Sequence, residues 1–74
     1  MRSYFRTHIE VVKDDAADIH FAIVELFEGN ARIWVESTES VMTDWLAHRE
    51  GEALAKKLLS AARRAVLKKM MHAC

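Results

Sequence analysis

Apolar and polar residues alternate through three stretches of the first half of the chain, and the period then changes. From Tyr4 to Val12, Phe5, Thr7, Ile9 and Val11 fall on one side, while Tyr4, Arg6, His8 and Glu10 fall on the other. That is the two-residue period of a half-buried strand. Stretches 19–28 and 31–37 repeat it with the β-branched and aromatic residues that strands favour. Gly29-Asn30 lies between the last two, the signature of a tight hairpin. With these two residues as the loop, Glu28 faces Ala31, Leu26 faces Ile33 and Val24 faces Val35. The polar run from Lys13 to Asp18 suits the earlier turn. The pattern therefore predicts an antiparallel meander of three strands, at about 3–12, 19–28 and 31–37. A helix over Asp15 to Glu28 also fits, with Ile19, Ala22, Ile23, Leu26 and Phe27 at helical spacing and Gly29 as its stop. The β-branched content and the Gly-Asn pair favour the strand.

The alternation sorts side chains onto two faces. One collects Phe5, Thr7, Ile9, Val11, His20, Ala22, Val24, Leu26, Ile33 and Val35, is nearly all apolar, and must be covered. The other holds aromatics among charges: Tyr4, Arg6, His8, Glu10, Val12, Ile19, Phe21, Ile23, Glu25, Phe27, Arg32, Trp34 and Glu36. On this face Arg6 is expected opposite Glu25, and Arg32 beside Glu36.

After Ser37-Thr38-Glu39-Ser40 the period becomes helical, and a Ser or Thr there can accept the free amides of a first turn. Val41, Trp45 and Leu46 mark a short apolar stripe, and Gly51 follows as a break. A second stripe runs through Leu54, Leu58, Ala62 and Ala65, flanked by Ala55, Leu59 and Val66. The prediction is two C-terminal helices, at about 40–49 and 52–72, packed on the apolar sheet face. If Gly51 does not interrupt them, one helix of roughly 50 Å results. Three strands are expected to be too small to cover that length, so such a helix calls for a second chain. The fold class is α+β, with residues 1–74 forming a single small domain.

Charge changes this picture. Residues 1–52 hold all eleven acidic side chains and five basic ones, a net of −6; residues 53–74 hold six cations and no acid, a net of +6. Lys56, Lys57, Arg63, Arg64, Lys68 and Lys69 make the second helix basic along its length. Such a helix suits successive phosphates or an acidic protein surface. The competing reading keeps these cations structural, complementing the helix dipole and the acidic half of the chain. A membrane surface fits less well, because the stripe is alanine-rich and residues 53–74 contain no aromatic.

Hydrophobic residues form 51% of the chain, enough for a folded domain rather than a disordered one. No apolar run approaches the roughly 20 residues of a membrane span. A chain this short has a small core, and Cys74, its only cysteine, excludes an internal disulfide framework. Association with a second copy is thus the expected supplement. One free thiol and no export signal point to the cytoplasm.

Candidate chemistry is sparse. His8, His20, His48 and His72 show no paired metal-ligand spacing, and there is no CxxC. His20 reads as a hydrogen-bonded core histidine. Asp14, Asp15 and Asp18 read as a solvated turn. Two glycines cannot make a phosphate loop, and so small a sheet offers little concavity for catalysis. No cofactor, metal or enzymatic activity is expected.

Three strands and a helix resemble, in order, the small sheet-reading DNA-binding domains of plant transcription factors and phage integrases. The last four elements also match a double-stranded-RNA-binding domain, whose final helix is basic. The resemblance stays at the level of the fold, and Glu10, Glu25 and Glu36 would repel phosphates from a face shared with Arg6, Arg32 and Trp34. The residues read best as a non-enzymatic adaptor or inhibitor, a homodimer of the kind of accessory protein that bacteria, plasmids and phages encode. Its surfaces would be the sheet face (Tyr4, Arg6, Phe21, Ile23, Phe27, Arg32, Trp34) and the basic helix. The alternative is a nucleic-acid-binding module using that helix.

Overall fold

The computed structural model describes residues 4–72, and the side chains of residues 4–67. Three strands, β1 (Phe5–Asp14), β2 (Ile19–Glu28) and β3 (Ala31–Ser37), precede one helix, α1 (Asp44–His72). The strands form an antiparallel sheet in the order β1-β2-β3, and α1 packs on β1 and β2. The α+β meander matches the expectation, but one helix stands where two were expected.

The turns follow from local chemistry. Gly29 sits at φ +60° and leads a two-residue loop closed by Glu28 opposite Ala31, the glycine-first pattern of a type II′ hairpin. In the β1–β2 turn, Asp14 Oδ1 accepts the amides of Ala16 and Ala17 at 3.1 and 3.4 Å, an Asx turn. Asp18 then adopts φ 52°, a conformation aspartate tolerates better than most residues.

The hairpin register differs from expectation beyond the loop. Leu26 faces Trp34 and Val24 faces Glu36, with a shift between Leu26 and Phe27 that leaves Ile33 without a partner. This is a β-bulge, and one extra residue exchanges the faces of everything after it. Trp34 and Glu36 therefore lie on the helix side of the sheet, and Val35, opposite Glu25, lies on the other. The expected pairs Leu26–Ile33 and Val24–Val35 do not form. All seven residues of β3 are exposed, because this strand lies beside the contact with α1.

Thr38 continues the sheet rather than starting the helix. Its amide donates to Ala22 O at 2.8 Å and its Oγ1 accepts the Ala22 amide at 2.9 Å. Val41 and His20 exchange backbone hydrogen bonds at 2.7 and 2.8 Å. The helix begins where Thr43 Oγ1 accepts the Leu46 amide at 3.1 Å, an N-cap.

Gly51 does not end a helix; it lies inside α1, buried where the helix crosses the sheet. A Cβ there would stand 2.8 Å from Ile9 Cγ2 and 2.9 Å from the Ala22 Cβ. Glycine lets the backbones approach at this point. Ala47 and Ala55, one turn either side, are also buried, so the seat of the helix is a stripe of small residues. Trp45, expected in the stripe, is 63% exposed and carries the Arg49 guanidinium 5.3 Å from its ring centroid. Ala65 is exposed while Val66 is half-buried.

The 29 residues of α1 span about 44 Å at 1.5 Å per residue. The helix runs along the strands: Trp45 and Asp44 meet Lys13 and His20 near one end of the sheet, and Val66 and Leu67 meet Tyr4 and Phe5 at the other. Ten-residue strands extend roughly 33 Å, so the sheet supports most of the helix. At about 44 Å the helix is still longer than the strands beneath it, so part of it runs past the sheet. The core is small: among the described residues, Ala22, Val24, Leu26, Ala47 and Ala55 are the buried hydrophobic ones, and Val24 is the largest side chain fully enclosed.

Candidate interaction surfaces

The side of the sheet away from α1 is built in rows set by the strand registers. Arg6, Phe27 and Arg32 form the first row; His8, Glu25 and Val35 the second; Glu10, Ile23 and Ser37 the third. Val12 with Phe21, and Asp14 with Ile19, complete it. Phe21, Ile23 and Phe27 alternate along β2 with the buried Ala22, Val24 and Leu26, and are themselves half-buried. Among the described residues no helix packs on this face, so part of their apolar surface meets solvent.

Two contacts organise its charge. The Arg6 guanidinium stacks over the Phe27 ring at 4.2 Å from the centroid, a cation–π arrangement. Arg32 Nη1 donates to Glu25 Oε2 at 3.1 Å. The expected neighbours differ: Arg6 lies opposite Phe27 rather than Glu25, and Arg32 pairs with Glu25 rather than sitting by Glu36. The bulge accounts for the second change, since it carries Glu36 to the helix side.

Of the predicted sheet-face residues, Arg6, Phe21, Ile23, Phe27 and Arg32 come together on the open face. Trp34 does not. It is 55% exposed on the helix side and donates its Nε1–H to Glu36 Oε1 at 3.1 Å. Tyr4 lies before β1 and lines a shallow cleft with Phe5, Arg63, Val66 and Leu67 at the end of the helix. Val35, brought onto the open face by the bulge, was missed, because a bulge leaves no mark in the alternation of a seven-residue strand.

The basic surface lies on the solvent side of α1. Lys56 and Arg63 are seven residues apart, as are Lys57 and Arg64, and all four are exposed; two helical turns separate the members of each pair. The ion pairs among the described residues are Lys13–Asp15, Arg32–Glu25 and the His48–Glu52 contact. None uses these four cations, and Arg64 Nε reaches only the Ser60 carbonyl oxygen, at 3.4 Å. The side chains of Lys68 and Lys69 lie outside the described residues.

A second groove, between the end of β3 and the helix flank, is lined by Glu36, Glu39, Glu50, Leu54 and Lys57 among others. It is acidic, and its acid comes from positions far apart in sequence. Near the start of α1, Val11, Lys13, His20, Asp44 and Trp45 line an open depression. His20 departs from expectation here: its backbone is paired, but its buried Nδ1 has no hydrogen-bond partner. Among the described residues no three His, Cys, Asp or Glu side chains gather as a metal site, and no helix is long and apolar enough to cross a membrane.

No family model, curated protein or solved structure matches the chain.

Proposed function

We propose that this chain is a small non-enzymatic interaction protein, an adaptor or inhibitor that acts as a homodimer by occluding the surface of a partner macromolecule. The observation that carries this reading is the presence of two separate surfaces left to solvent. One is the uncovered sheet face, with Phe21, Ile23 and Phe27 set among charges; the other is the row of exposed helix cations Lys56, Lys57, Arg63 and Arg64, which form no ion pair among the described residues. Open apolar patches with aromatic and arginine anchors are characteristic of protein contacts. The cations then select an acidic partner, and a reducing cytoplasm suits the single thiol.

Nucleic acid is the second reading, and the same unpaired cations favour it. The open sheet face is a poor phosphate surface, since Glu10 and Glu25 remain on it. A duplex would have to lie on α1.

Fluorescence anisotropy with a labelled acidic peptide and a labelled duplex oligonucleotide, each over a range of salt, separates the two. The adaptor reading predicts peptide binding that the Arg63→Ala/Arg64→Ala variant weakens at least tenfold, with only weak binding to the duplex. Submicromolar duplex binding at physiological salt, with a logarithmic salt slope that falls by about two in the same variant, would replace it with the nucleic-acid reading.

A further inference from the structure

We infer that the open sheet face is covered by a second copy of this chain, packed face to face about a two-fold axis with the strands of the two sheets antiparallel. The inference rests on the homodimeric reading above and supplies its interface. It also leaves the helix cations free for the partner.

The amount of surface supports a second copy. The chain exposes 5913 Å² at 8.5 kDa, whereas a compact monomer of that mass exposes about 4,700 Å². Its radius of gyration is 14.8 Å, against roughly 11 Å for a compact domain of this length. Part of the excess belongs to the helix, since the molecule is 53 Å long on strands of about 33 Å. The uncovered strands, with all of β3 exposed, contribute to the remainder. The total excess, on the order of 1,200 Å², is of the same order as the roughly 800 Å² that each partner contributes to a standard interface.

The charge on the face selects the arrangement. Its cations, Arg6 and Arg32, share the first row, and its acids, Glu25, Glu10 and Asp14, follow along the strands. Stacking two sheets with strands parallel would set row on row and bring two arginines against two arginines. Like charges juxtaposed in an interface are costly. Turning one sheet end for end instead places Arg6 of one copy over Val12 of the other, between Glu10 and Asp14. With the axis between the second and third rows, Phe27 of each chain lies over Phe21 of the other, and His8 lies beside Glu10. Each copy then supplies both halves of a self-complementary pattern, which a two-fold interface requires.

Cysteine cross-linking tests this in the full-length chain, with Cys74→Ser as background. Chains carrying Phe21→Cys and chains carrying Phe27→Cys are expected to cross-link when mixed under mild oxidation, while each alone gives little product. Efficient self-linking of the Phe27→Cys chain would show parallel stacking and overturn the inference. So would a failure of the mixture to cross-link. A surface variant guards against misfolding of the cysteine chains. Arg6→Glu is expected to raise the dimer Kd about tenfold, and Arg6→Glu/Glu10→Arg is expected to restore it. An unaltered Kd in both would place the contact elsewhere. Failure here leaves peptide binding by the helix to be judged by its own titration.

Discussion

The two faces of β2 carry side chains of different size and opposite fates. Ala22, Val24 and Leu26 are buried under α1, while Phe21, Ile23 and Phe27, one residue out of phase, hold the bulkier side chains on the face that the chain leaves bare. A fold that spent its largest apolar groups on its own core would show the reverse. The helix side is instead built from small residues, Ala47, Gly51 and Ala55 against Ala22 and Val24, so that helix and sheet touch closely. Close approach makes the covered face stable with little volume. It also leaves the large side chains on the open face, where the proposed second copy would use them as anchors.

The largest losses of stability are expected on the covered side. Leu26→Ala empties a buried site and should cost about 3 kcal/mol, read as a lower urea midpoint. Gly51→Ala should destabilise by about 1–2 kcal/mol: the new methyl would overlap Ile9 and Ala22, and the cost of overpacking exceeds the gain of about 1 kcal/mol in helix propensity. A stabilised Gly51→Ala protein would mean that the helix does not seat closely on the sheet. The smallest effect is expected at Trp34, which the bulge removes from the open face. Trp34→Ser should change stability by no more than about 0.5 kcal/mol and leave the dimer intact, whereas Ile23→Asp should dissociate it.

Much of this architecture is legible in the sequence. Alternation placed the three strands and the Gly29-Asn30 turn, because one half-buried face imposes a strict period of two. Register within the second hairpin was not legible, since the bulge at Ile33 adds a residue without altering local composition. Gly51 was ambiguous for a different reason: glycine both stops helices and permits close packing. The arrangement Ala47-Gly51-Ala55, small residues at four-residue spacing, was the signal that favours the second role. The unpaired state of Lys56, Lys57, Arg63 and Arg64 depended on where the acids fell in space, so it emerged only with the fold.

If a second copy covers the bare sheet face, the two chains associate through apolar contacts. Molar mass in solution by light scattering, at low and high salt, reads this out. Twice the 8.5 kDa of the chain is expected at both salts, because burial of Phe21, Ile23 and Phe27 is insensitive to ionic screening. A mass of one chain throughout would contradict it, and so would a dimer that dissociates in salt, which would assign the association to the basic helix and the acidic half of its neighbour.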